Sequence, residues 1–243
     1  MELFNAYQDT VRAESYAKLE FHDTYYLAYR DLPSIFSKHT TGINALDFGC
    51  GTGRSTRFLK SHNYEAKGID IAIDMIKIAR KLDPSGEYHL IDDADLSVFN
   101  TETFDLILSA FTFDNIPTME RKVKIFTALA SVLNDNGKIV NLVSSPELYV
   151  NEWASFTTKD FHENKVAKSG DIVRTITTTV EDQRPVEDII WSDEDYRKVY
   201  QEAGLEVEAI YNPLASEEEP FEWVNETTIA PWTIYVLRKR EGI

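Results

Sequence analysis

At 243 residues and 43% hydrophobic content, the chain has material for one large domain with an ample core. Lys and Arg number 25 against 41 Asp and Glu, a formal charge of −16 that argues against a grip on DNA or RNA phosphates. One cysteine rules out an intrachain disulfide framework and suits a reducing compartment, while no apolar run resembles a secretion signal or reaches membrane-spanning length.

Residues 1–42 precede the first strand signal. Thr24-Tyr25-Tyr26-Leu27-Ala28-Tyr29-Arg30-Asp31-Leu32-Pro33 is dense in aromatic residues and carries one arginine. Pro33 disfavours helix at Leu32, which predicts a helix ending there and a new one near Ser34. Ile43 to Phe48 then reads as a buried strand with Asp47 near its end, breaking into Gly49, Gly51 and Gly53 with Cys50 between them. Arg54 to Lys60 opens a helix. Strand, glycine turn and helix form a corner where a ligand can approach the backbone. A dinucleotide fingerprint G-x-G-x-x-G would need its third glycine at position 54, where Arg54 stands. The pattern is instead D-x-G-x-G-x-G, and a carboxylate at Asp47 repels a pyrophosphate but suits an ammonium group.

Tyr64 to Asp70 is a second short strand ending in an acid, where Rossmann-type sheets accept hydrogen bonds from ribose hydroxyls. Ile71 beside it offers an apolar face to a base. Ala72 to Lys81 continues as a helix with Met75, Ile78, Ala79 and Leu82 at helical spacing; these read mainly as core, with Met75 also in reach of a base. Glu87 to Ile91 is a third strand that runs into Asp92-Asp93-Ala94-Asp95-Leu96. Phe104 to Phe111 is the clearest buried strand, and its end, with Ser109 and Phe111, belongs at the topological switch point where α/β sheets bind ligands. Thr112-Phe113-Asp114-Asn115-Ile116-Pro117 follows. No Pro-Cys nucleophile is present, which disfavours covalent cytosine chemistry. Thr118 to Leu133 reads as an amphipathic helix and Gly137 to Ser145 as a fifth strand.

The stretch from Pro146 to Ile190 is too long for a simple link. Asp171 to Thr179 alternates and is β-branched, Val186 to Trp191 is its partner, and Glu181 to Pro185 is the turn, giving an inserted β-hairpin. His162 lies on this insertion. Ser192-Asp193-Glu194-Asp195 is a capping box that opens a helix closed by Gly204. Leu205 to Tyr211 and Pro231 to Leu237 supply two more strands.

Asp47 to Gly53, Asp70, the run Asp92 to Leu96 and Phe104-Asp105-Leu106-Ile107 together resemble the class I S-adenosylmethionine (SAM) methyltransferases. The likeness runs from about Gly42 to Ser145 and more loosely to Lys239. The segment from Thr24 to Pro33 and the tail from Ala230 to Leu237 look like those of bacterial members near antibiotic and toxoflavin-type methyltransferases. The resemblance implies an α/β, Rossmann-like, doubly wound seven-stranded sheet with helices on both faces. One domain would divide into a helical cap at 1–42, a cofactor-binding core at 43–145, a substrate-side insertion at 146–190, and a helix with the last two strands at 191–243.

It further implies SAM as cofactor and S-adenosylhomocysteine as product, held by Asp47, Gly49, Cys50, Gly51, Gly53, Asp70, Ile71, Met75, Ser109 and Phe111. In the family's G-D-A-x-D-L segment the first acid accepts from the adenine amino group. Here Ile91 stands for the glycine and Asp93 for the alanine, so either Asp92 or Asp93 takes that place. The family's N-terminal helices fold over the cofactor, which puts Tyr25 against the sulfonium and Arg30 on the methionine carboxylate. The expected activity is in-line methyl transfer to an O, N or C atom of a small molecule, with Asp114 and His162 as candidate bases. No metal, nucleic acid or membrane is expected to take part, and a cytoplasmic location is expected. Two other readings stand beside it: a catalytically idle binding subunit on the same fold, and an NAD-linked oxidoreductase, against which Arg54 counts.

Overall fold

The apolar runs become the strands of one mixed sheet in the computed structural model, which describes residues 21–99 and 103–240. Expectations on residues 1–20 lie outside the described residues. In chain order the elements are α1 (Thr24–Arg30), α2 (Leu32–His39), β1 (Asn44–Phe48), α3 (Arg54–Ser61), β2 (Glu65–Asp70), α4 (Ile73–Leu82) and β3 (Glu87–Leu90). β4 (Phe104–Ala110), α5 (Met119–Ser131) and β5 (Leu133–Ser144) follow. Then come β6 (Phe156–Thr157), β7 (Ile172–Thr177), β8 (Val186–Ile189), α6 (Asp193–Glu202), β9 (Leu205–Tyr211) and β10 (Trp232–Lys239).

The seven strands of the main sheet lie in the order β3-β2-β1-β4-β5-β10-β9. The first five are parallel, while β10 is antiparallel to both β5 and β9. Strand order reverses between β1 and β4, so their C-terminal ends open the crevice that such sheets use for ligands.

Alternation along the strands divides the core in two. Leu46, Phe48, Ile107, Ile139 and Val143 point to one face, covered by Ile125, Phe126 and Leu129 of α5 and Val199 and Tyr200 of α6. Ala45, Leu106, Leu108, Val140 and Leu142 point to the other, covered by Leu27, Ala28, Leu32, Ile35 and Phe36 of α1 and α2 and by Leu59 of α3. The described part of the N-terminal segment is therefore a wall of the core, rather than a lid laid over a sheet complete without it.

Three ties hold α1 there. Trp232 Nε1 donates to the Thr24 carbonyl at 2.7 Å. Thr24 Oγ1 donates to Glu226 Oε1 at 2.7 Å and accepts from the Ser155 N–H at 3.0 Å. Glu226, wholly buried, also takes the N–H groups of Ala154 and Val224 at 2.8 Å each. One carboxylate thus joins α1, the insertion and the loop before β10.

The helix break falls two residues before the predicted one. Asp31 separates α1 from α2, Leu32 opens α2, and Pro33 sits in its first turn, where its missing N–H has no helical partner to lose. The predicted hairpin forms, with Ile172 opposite Ile189 and Thr175 opposite Val186. β6 adds a third strand that the sequence does not signal, pairing Phe156 with Thr177. It has only two residues, too short for any pattern.

Candidate functional site

The glycine turn is built by the protein's own side chains as much as by backbone freedom. Gly49, Gly51 and Gly53 all take left-handed φ values, of 72°, 53° and 81°. A Cβ on Gly49 would lie 2.1 Å from Thr112 Oγ1, and one on Gly53 would lie 2.7 Å from the Tyr88 hydroxyl. At these two positions the missing Cβ makes room for protein packing, so the turn is drawn tight against β4 and β3. Thr112 Oγ1 donates to the Phe48 carbonyl at 3.0 Å and pins the turn from the next loop.

Beneath the turn, Asp47 is wholly buried on β1. Its Oδ2 accepts from the hydroxyls of Ser55 at 2.7 Å and Thr56 at 2.6 Å, both on the first turn of α3. Its Oδ1 has no hydrogen-bond partner. Burial pushes this carboxyl up to about 6, against the two hydroxyl donors and Arg54, which favour the charged form. A buried acceptor without a donor is the kind of group that a bound cation completes.

Asp70, at the tip of β2, accepts the Gly51 N–H on Oδ2 at 2.9 Å and the Ala72 N–H on Oδ1 at 2.8 Å. It holds the glycine turn and the start of α4 together, and burial raises its pKa despite these donors. Ile71 beside it is exposed, at 48% of its surface. Together with Leu90 at the end of β3, 47% exposed, it leaves apolar surface beside an acid, as a purine nucleoside requires.

Two expected residues separate clearly. Asp93, at φ 47°, receives Arg121 Nε at 3.1 Å and Lys124 Nζ at 2.6 Å, and Lys124 first, then Arg121, holds its pKa down. Asp93 thus faces α5, and Asp92 stays exposed at the open tip of β3. Met75 is buried among Ala72 and Ile78, a core position. Cys50 is buried with Ile76, Ala79 and Tyr88, and burial pushes its thiol well up. Ser109 is wholly buried, its Oγ without a partner.

At the end of β4, Phe111 adopts a left-handed φ of 65°, uncommon for a bulky residue and a form of strain associated with sites. Its ring meets Trp232 at 4.8 Å and Tyr25 at 5.9 Å, and Tyr25 meets Phe156 of β6 at 5.1 Å. Tyr25 is therefore packed in an aromatic group drawn from four segments. Arg54, at the would-be third glycine, lies over the rings of Tyr25 at 5.0 Å, Tyr29 at 5.4 Å and Phe21 at 5.7 Å, tying the glycine turn to α1.

Arg30 is committed elsewhere. Its guanidinium bonds Asp31 at 2.8 Å, Glu219 at 2.7 Å and the Leu214 carbonyl at 3.1 Å, and the Asp31 bond raises its pKa further. Arg30→Ala is expected to change S-adenosylhomocysteine affinity less than about twofold and stability by about 1 kcal/mol, the upper end for surface ion pairs because these are half-buried. Titration calorimetry and thermal melts check both. Asp114 is buried, both its oxygens turned to Ser144, whose N–H approaches at 3.1 Å and whose hydroxyl approaches at 2.8 Å. His162 is exposed on the 162–166 turn.

In the sequence Ser55 and Thr56 read only as part of a helix opening, and they were missed as partners of Asp47, although two hydroxyl residues directly after the turn were a signal for it. Thr112, Phe156 and Trp232 come from distant segments, and no local pattern marks them.

With this geometry in place, comparison with known proteins is specific. A model of the methyltransferase domain matches residues 46–141. An uncharacterized methyltransferase of Alkaliphilus oremlandii is 28% identical over 158 residues, 64% of this chain and 71% of its own. The N-demethylindolmycin N-methyltransferase of Streptomyces griseus is 25% identical over 167 residues, 66% of this chain and 68% of its own. The solved structure of a SAM-dependent methyltransferase from Clostridium acetobutylicum shares the fold at a TM-score of 0.63, with 15% identity, covering 97% of this chain and 99% of that one. Residues 46–141 thus match a methyltransferase domain, and the chain is similar to methyltransferases in sequence and to SAM-dependent methyltransferases of known structure in fold.

Proposed function

We propose that the protein methylates a small molecule, with Asp47, Gly49, Gly51, Gly53, Asp70, Ile71 and Asp92 forming the SAM site. The observation that carries the cofactor assignment is the buried, donorless Oδ1 of Asp47 under a left-handed glycine turn. A ligand ammonium group would supply the missing donor, and Asp70 at the tip of β2 offers its carboxylate to ribose hydroxyls. The exposed face of Ile71 and the acid of Asp92 suit the adenine.

When bound, SAM supplies a sulfonium methyl that a nucleophile displaces in line, leaving the electron pair on sulfur and S-adenosylhomocysteine as product. The protein's part is to orient and to exclude water. Phe111, Phe156 and Trp232 make an apolar wall at the end of β4, with Tyr25 locked behind it by Trp232 at 5.9 Å. Such a wall suits an uncharged or aromatic acceptor. The net charge of −16 argues against a nucleic-acid acceptor, and a relative that acts on N-demethylindolmycin fits a small one. Asp114 is buried with its Oδ2 engaged by the Ser144 N–H and hydroxyl, out of reach of solvent, and the proposal needs no base where the nucleophile is a neutral amine.

The test is transfer of a labelled methyl group from SAM to a panel of amines, phenols and carbon acids. Label in a small-molecule product is expected. Label appearing only in protein or nucleic acid would sink the small-molecule reading, and SAM binding with no transfer to any class would favour an idle binding subunit.

A further inference from the structure

A second set of buried ionisable groups lies outside the cofactor set. Asp114 comes from the turn after β4, Lys122 from α5, Tyr149 from the turn after β5 and Asp188 from β8 of the inserted sheet. Their exposures are only 4%, 0%, 2% and 9%. Asp114 holds Ser144 at the end of β5, and Tyr149 donates to Asp188 at 3.2 Å. Lys122 donates to the Phe113 carbonyl, and its ammonium lies over the rings of Trp191 at 4.9 Å and Tyr196 at 5.2 Å.

Two further observations show that the group is more than a sealed ion pair. Among the described residues Lys122 forms no ion pair, and Asp114 and Asp188 act on it only across space. Trp191 Nε1 and the Tyr196 hydroxyl, both buried beside it, have no partner. Segments that meet over the ends of β4 and β5 thus each send a polar group into one under-satisfied interior.

Two carboxylates and one ammonium cannot all be charged here without burying a net charge. Burial and then Asp114 push Asp188 up to about 8, burial pushes Asp114 up to about 6, and burial draws Lys122 down to about 7. The tyrosines facing the group, Tyr149 and Tyr196, are pushed well up by burial and stay neutral, as does Tyr200 behind them. Asp188 is the group that holds a proton where an exposed aspartate would not.

We propose that Asp114, Lys122, Tyr149 and Asp188 are positioning residues, a proton-holding latch that fixes the inserted sheet over the end of β4 where the acceptor docks. Only the purpose of the latch rests on the acceptor reading above. On deprotonation Asp188 releases its proton to solvent, leaves an uncompensated buried charge, and loosens β8 from the turn that carries Asp114.

The experiment follows Trp191 emission in the ligand-free full chain from about pH 5 to about pH 9. The transition assigned to Asp188 is expected with its midpoint at about 8. It should vanish in Trp191→Phe, which identifies its source, and in Asp188→Asn, which mimics the protonated form. Hydrogen exchange should show the 186–189 amides losing protection at the high-pH end in the parent and keeping it in Asp188→Asn. Lys122→Met should raise the midpoint, and if it does not fold, Asp188→Asn carries the test. A flat emission profile, or the same transition in Asp188→Asn, would overturn the latch. S-adenosylhomocysteine titrations run alongside separate the two readings. Asp188→Asn is expected to bind like the parent, whereas a parent that fails to bind damages the methyltransferase site and leaves the latch to be judged on emission and exchange.

Discussion

Gly49→Ala is expected to lose about 2–4 kcal/mol of stability and most of the cofactor affinity. The left-handed φ of 72° strains any L side chain, and the new methyl would meet Thr112 Oγ1 at 2.1 Å. Thr112 cannot retreat cheaply, because it donates to the Phe48 carbonyl and follows the strained Phe111. Adding Thr112→Ala should recover part of the loss, leaving the backbone strain of about 1–2 kcal/mol. Denaturant melts of the two single variants and the double variant measure this coupling. Strictly additive losses would mean that the contact between the turn and β4 is not what constrains Gly49.

Asp70→Ala should weaken S-adenosylhomocysteine binding about 10–100-fold while the protein stays folded. The expectation has two sources. The side chain presets the turn by accepting the Gly51 and Ala72 N–H groups, and in the proposed site it also meets the ribose. Asp70→Asn keeps one acceptor oxygen and should fall between parent and alanine variant. Calorimetry gives the affinities and circular dichroism the fold. Parent-like binding by Asp70→Ala would remove the tip of β2 from the site.

The main strands along the chain and the glycine corner were legible because each rests on local patterning, whereas their order in the sheet followed only from the family resemblance. Buried runs such as Phe104–Ala110 and the capping box at Ser192 declare themselves within a few residues. What escaped the sequence depends on contacts across the chain. Tyr25 and Arg30 sit five positions apart on one short helix, yet Tyr25 joins a ring group with Phe111 and Trp232 while Arg30 turns to Glu219. Composition cannot tell these fates apart. Likewise the pair Asp92-Asp93 is symmetric as a string, and only the distant Arg121 and Lys124 of α5 break the symmetry. The glycines were read as room for a ligand, whereas two of them make room for Thr112 and Tyr88.

In the proposed site the glycine turn, Asp47 and Asp70 hold SAM. The most direct test of this is a calorimetric titration of the parent protein with S-adenosylhomocysteine and, separately, with NAD. Saturable binding of one S-adenosylhomocysteine in the micromolar range is predicted, about −8 kcal/mol, with NAD far weaker. Measurable affinity for NAD with none for S-adenosylhomocysteine would contradict it.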